Sequence, residues 1–134
     1  MDESAIEEGF AAARRQLDDV TRQAQENRAR ANALAADVEN IVESVRSPRG
    51  EVTVRAHVGG RLAGLEFGSG AEELGLDALA RVTLTTIAQA QHKAMTALAE
   101  RGADLFGEQS DIAASLRSDA DRGYPAEPTG PSWT

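Results

Sequence analysis

From Ile6 to Val45, apolar and small residues recur at alternating steps of four and three: Ile6, Phe10, Ala13, Leu17, Val20, Ala24, Asn27, Ala31, Leu34, Val38, Ile41 and Val45, with Asn27 the one polar member of the row. A repeat of 3.5 residues places the row on one narrow edge of an α-helix, the pattern of a coiled-coil seam. The stretch has no proline and only Gly9 as glycine before residue 42, so one helix is predicted over about residues 3–42. At about 1.5 Å per residue it would be on the order of 60 Å long. A helix of that length with so narrow an apolar edge needs another helix to pack against. The 134 residues suit one domain plus tails, and one copy can bury only a modest core. Together these features predict a homodimer. Asn27 would either fix the register of paired helices or mark a solvated break, flanked as it is by Glu26 and Arg28.

After the helix the period changes. Val52, Val54, Ala56 and Val58 alternate with Thr53, Arg55 and His57, as in a half-buried strand. Gly59-Gly60 suits a tight turn, and residues 62–67 form a returning strand with Phe67 expected in the core. Ser47-Pro48-Arg49-Gly50 reads as an earlier turn, so residues 43–46 make a short first strand of a three-stranded antiparallel meander. Such a sheet has open edges that a second copy can pair or cover. A second helix is predicted over about 76–101, with Leu76, Leu79, Ala80, Thr83, Ile87, Ala90, Ala94 and Leu98 on one face and Gly102 as its stop. Residues 1–102 thus form the expected dimerising domain. Residues 103–134 form an acidic, Pro- and Gly-containing tail, with a short helix possible at 108–117 and disorder expected over 118–134. Trp133 is read as an exposed tail residue or a docking anchor.

The formal net charge is −8. By segment it is −4 over residues 1–46, +1 over 47–67, −1 over 68–102 and −4 over 103–134. Only the expected hairpin region is basic. Phosphate binding draws on Lys and Arg displacing counterions, so an acidic chain binds nucleic acid well only if its arginines are gathered on one face.

The absence of cysteine excludes disulfides, thiol catalysis and thiolate metal sites. His57 and His92 have no second ligand at metal spacing and read as strand-surface and helix-surface residues. The glycine-rich stretch from Gly64 to Gly75 lacks the Lys-Ser/Thr of a phosphate loop and reads as a flexible connector. No Ser-His-Asp set is present, and Glu72-Glu73 carries no sign of a paired acid/base site. The expectation is a non-enzymatic protein without cofactor or metal. Apolar stretches are too short to span a bilayer and the acidic start does not read as a signal peptide, so a cytoplasmic location is expected.

Val45 to Gly50, Gly50-Glu51-Val52-Thr53-Val54, Gly59-Gly60-Arg61-Leu62, Leu65-Glu66-Phe67, Leu76-Asp77-Ala78-Leu79 and Ala88-Gln89-Ala90-Gln91, in this order and spacing, resemble the YbaB/EbfC family over about residues 10–100. The resemblance implies an α+β protomer of order α-β-β-β-α: a long N-terminal helix, a three-stranded antiparallel meander and a C-terminal helix, paired as a homodimer. It implies a bacterial, nucleoid-associated protein that binds duplex DNA with little sequence preference. The predominance of arginine over lysine, with the Ala and Gly content, suggests a GC-rich genome, and the resemblance is to the actinobacterial type of the family. Some actinobacterial relatives are associated with type VII secretion loci, so the alternative is a chaperone-like or regulatory module that meets a protein partner through the acidic tail and binds no DNA. The chain departs from better-known members in its longer first helix, longer acidic tail and scarcity of lysine.

Two groups of arginines are candidates for DNA. Arg14, Arg15, Arg22, Arg28 and Arg30 lie off the seam along one side of the first helix, where Asp18, Asp19 and Glu26 can neutralise them. Arg46, Arg49, Arg55 and Arg61 surround the hairpin and its turns, where the alternative is ordinary strand and turn polarity. The expected dimer interface comprises Leu17, Val20, Ala24, Asn27, Ala31, Leu34, Val52, Val54 and Ile87. Apart from Phe67, expected in the core, no strand carries an aromatic residue suited to stacking bases, and no helix-turn-helix or zinc-finger pattern occurs.

Overall fold

The computed structural model describes residues 3–128. Helix α1 spans Glu3–Asn40, strand β1 Val42–Arg46, β2 Val52–His57 and β3 Leu62–Phe67. A short 3₁₀ turn, Ser69–Glu73, leads to α2, Leu76–Phe106, and then α3, Asp111–Gly123. The order is the expected α-β-β-β-α with one further helix. The chain divides into two units, Met1–Ala33 and Leu34–Thr134.

The first unit holds most of α1. None of the helix is fully buried, and Phe10, Leu17 and Val20 are 63%, 66% and 57% exposed. The apolar row of this unit is exposed at these positions.

In the second unit the strands lie in the order β1-β2-β3, all antiparallel. Val45 sits opposite Val54, and Val54 opposite Leu65. The register shifts between Arg55 and Ala56: Gly64 faces Arg55 but Leu62 faces Ala56, leaving Ala63 as the extra residue. This bulge turns Leu62 onto the face shared by Val52, Val54 and Ala56. That face meets α2. Val52, Val54, Ala56 and Ala90 are fully buried together, with Val45, Val82 and Ile87 packed at the margin.

Helix α2 packs over β1 and β2. The same face of β3 is left open, with Leu65 and Phe67 exposed, the latter by 57%. Phe67 is thus not in the core of the chain, contrary to expectation, because β3 lacks the helical cover its neighbours have. Val52 and Val54 were expected at a dimer interface; they are consumed by the chain's own core and have no surface to offer a partner.

A second cluster joins Met95, Leu98 and Ala120 to Leu34, Val38, Ile41, Val58, Leu116 and Tyr124. The end of the α1 seam, from Leu34, is covered by the chain's own helices. Leu34, expected at an intermolecular interface, is partly covered by its own chain and remains partly exposed. Gly102, expected as the stop of the second helix, lies inside α2. A methyl group there would come 2.6 Å from Leu116 Cδ1 of α3, so the glycine makes room for a helix crossing. The helix stops instead at Gly107, with φ of 103°, whose N–H bonds the Ala103 carbonyl at 2.8 Å. Helix α3 begins at Ser110, whose hydroxyl accepts the Ala113 N–H at 3.1 Å. Helices therefore run through the boundary expected at 102 and through residues 118–123, where disorder was expected. Trp133 and residues 129–134 lie outside the described residues.

Candidate nucleic-acid interface

The alternation of β2 that buries its valines sends Thr53, Arg55 and His57 to the opposite face of the sheet. Register adds Arg46 and Ser44 from β1, and Gly64 and Glu66 from β3. This outer face is polar apart from Val42, which stands opposite His57 and is 43% exposed. The Arg55 guanidinium lies across Gly64: a Cβ there would be 3.0 Å from Arg55 Nη2, so the missing side chain lets the arginine lie flat on the sheet. The Arg46 guanidinium folds back over Gly50, which has φ of 72°.

Between them the 47–50 turn is braced from inside. Ser47 and Glu51 are buried polar residues. The Ser47 hydroxyl donates to Glu51 Oε1 at 3.2 Å and accepts the Val52 N–H at 3.0 Å. The Gly50 N–H bonds the Ser47 carbonyl at 2.9 Å, and the Gly68 N–H bonds the Glu51 carbonyl at 2.8 Å. The glycine-rich stretch after β3, expected to be a loose connector, is thus fastened to this turn, and Ala71 in its 3₁₀ segment is buried. Arg49 is presented outward from a fixed frame. Ser47, Glu51 and Gly68 escaped the sequence reading because the turn motif gives no sign of an internal hydroxyl–carboxylate brace.

Arg61 is exposed after Gly59-Gly60, whose φ values are 90° and 93°. That turn is held by Gln91 Nε2 donating to the Gly60 carbonyl at 2.8 Å, and by the His57 N–H donating to the Arg61 carbonyl at 2.8 Å. His92, expected on the helix surface, is half-buried: Nδ1 lies 2.8 Å from the Tyr124 carbonyl and 3.2 Å from that of Ala120. Carbonyls only accept, so Nδ1 carries the proton, and the ring satisfies carbonyls at the end of α3.

The basic residues divide by what they pair with. Lys93 bonds the Ser44 carbonyl at 3.1 Å and lies 3.6 Å from Glu43. Arg101 meets Asp37 at 2.7 Å, a contact that raises its pKa further above the ordinary arginine value. Arg117 lies 3.9 Å from Glu108. On α1, Arg22 lies 3.4 Å from Asp19 and 3.9 Å from Glu26, and Arg30 donates to Asn27 at 3.2 Å. The Arg22 part of the helix stripe is thus neutralised as its interleaved acids allow, and the Asn27 amide is engaged within its own helix. Among the described residues, Arg14, Arg15, Arg28, Arg30, Arg46, Arg49, Arg55, Arg61, Arg81 and, on α3, Arg122 enter no ion pair. Arg81, at the start of α2, was not singled out in the sequence.

Within the second unit the charges are partly segregated. Arg46, Arg49 and Arg81 gather around the β1–β2 turn and the first turns of α2. Helix α3 and its acids Asp111, Asp119 and Asp121 lie against the later part of α2. The acids of α3 thus lie toward the far end of α2, while Asp77 stands one helical turn before Arg81 and Glu127 lies beside Leu84 and Ile87.

No group of three or more His, Asp or Glu among the described residues is arranged to hold a metal ion, and no described helix is long and apolar enough to cross a membrane. A family model, that of the YbaB/EbfC DNA-binding family, matches residues 13–109, which include the sheet and α2 but not α3. No curated protein and no solved structure matches the chain.

Proposed function

The chain belongs to the YbaB/EbfC DNA-binding family, and from that premise we propose that it binds the backbone of duplex DNA as a homodimer, with little sequence preference and no enzymatic step, as a nucleoid-associated protein of the cytoplasm. The observation that carries this reading is the set of unpaired arginines on the outer sheet face and its fixed turn: Arg46, Arg49 and Arg55. Guanidinium groups without an acid partner are free to take two hydrogen bonds to a phosphate. Arg14, Arg15 and Arg28 of α1 supply a second set, and Arg61 extends the first.

Pairing is supported by the apolar surface the single chain leaves open. Leu62, Leu65 and Phe67 on β3 and Leu76 at the start of α2 are exposed, Leu76 by 84%. Fully burying such a side chain is worth roughly 1.5–3 kcal/mol. A second copy would complete this surface and the open α1 row, and would double the arginine sets by symmetry.

Fluorescence anisotropy with a labelled duplex tests the reading. If three arginines from each copy meet phosphates, affinity falls on the order of a thousandfold between 50 and 200 mM salt. A folded dimer that leaves the duplex free at the lower salt would rule the reading out.

A further inference from the structure

Across from the 47–50 turn, Arg81, Thr85 and Gln89 of α2 stand four residues apart, one helical turn between each. With Pro48, Arg49, Glu51, Val82 and Thr86 they line a cleft of about 340 Å³. Among the described residues, none of the Arg49, Arg81, Thr85 and Gln89 side chains has a hydrogen-bonding partner or an ion pair. Thr86 behaves differently: its hydroxyl is spent on the Val82 carbonyl at 2.8 Å, leaving a methyl and Val82 as the cleft's apolar lining. The only acid in the lining is Glu51, which is buried and accepts from Ser47. Two guanidinium groups face one buried carboxylate within the cleft, and Asp77, one turn before Arg81 on α2, lies outside its lining.

We propose that this cleft is a phosphate site, with Arg81, Thr85 and Gln89 as a row of donors on one wall and Arg49 on the other. The chemistry is that of a tetrahedral oxyanion carrying more acceptors than one residue can serve. An arginine takes two of its oxygens, and a hydroxyl and an amide N–H spaced a helical turn away take others. Pre-organisation favours the site. Arg49 projects from a turn braced by Ser47 and Glu51, and its opposite wall is a regular helix, so the backbone needs little ordering for binding and the cost that remains is that of fixing the side chains. The inference rests on the proposed DNA binding only for the source of the phosphate: a backbone phosphodiester or the phosphates of a small phosphorylated molecule such as a nucleotide.

The test is a ¹H–¹⁵N NMR titration of the full chain, in one arm with pyrophosphate and in another with a duplex, against sodium chloride at matched ionic strength. Arg81→Gln and Gln89→Ala, both at exposed positions, are the variants. Shifts at Arg49, Arg81, Thr85 and Gln89 with the duplex, together with a threefold to tenfold loss of duplex affinity in Arg81→Gln and a salt slope lower by about one per engaged copy, support the site with a backbone phosphate as its ligand. Shifts at the same residues with pyrophosphate, weakened in Arg81→Gln, support it with a free phosphorylated ligand even if the duplex does not bind, an outcome that would defeat the DNA reading alone. Duplex binding that is identical in Arg81→Gln and wild type, with no pyrophosphate shifts in the cleft, overturns the phosphate site and leaves DNA binding by the sheet arginines standing. A folded chain whose cleft resonances respond to neither probe overturns it as well.

Discussion

A single hydroxyl does more for the presentation of Arg49 than any residue the sequence marked. Ser47 answers both a buried carboxylate and the first N–H of β2. Replacing it with alanine leaves Glu51 and the Val52 N–H without their partner, which costs about 1–3 kcal/mol for each group left unsatisfied. Urea denaturation of Ser47→Ala is expected to show a loss of at least ~1 kcal/mol; stability unchanged from wild type would mean the turn is not braced in this way. The arginines of the hairpin could be read from the sequence because strand alternation alone decides that Arg55 points away from Val54. Arg81 could not be: its importance depends on a turn thirty residues earlier closing the other side of a cleft. His92 was misjudged for the same reason, since its acceptors belong to α3, 28 and 32 residues further on.

At the scale of elements, periodicity was a sound guide wherever one face met one neighbour. The steps of four and three gave α1, and Val52, Val54 and Ala56 gave a strand whose inner face is fully buried. It misled where the neighbour was unknown. The pattern of β3 is as apolar as that of β2, yet Phe67 is exposed because α2 covers β1 and β2. Gly102 shows the limit in another form: a glycine late in a helix pattern reads equally as a terminator or as a crossing point, and only the position of Leu116 decides. A methyl at residue 102 gains roughly 1 kcal/mol of helix propensity but forces overpacking that costs typically 1–3 kcal/mol. Gly102→Ala is therefore expected to be destabilising by up to about 2 kcal/mol. A double-mutant cycle with Leu116→Ala is expected to remove most of that loss; additive effects would place the two residues apart.

In the whole molecule, placement of arginines at the turn and the sheet, doubled by symmetry in the proposed dimer, would let an acidic chain meet an anionic ligand. Pairing is argued from apolar surface left over on β3 and α2 and from the open row of α1. Leu65→Asp places a charge on that surface without touching the buried valines, and sedimentation equilibrium at micromolar concentration is expected to show a folded single chain. A variant that remains dimeric would move the interface elsewhere. The DNA reading itself is tested most directly by the salt dependence of duplex affinity in wild type and in a variant carrying Arg46→Gln, Arg49→Gln and Arg55→Gln. Three contacts from each of two copies contribute about −5 to the logarithmic slope of wild type, and the variant, with the fold intact, is expected to lose that part and keep only what the α1 arginines, Arg61 and Arg81 supply. Equal slopes in the two proteins would contradict the assignment of DNA binding to the sheet and its turn.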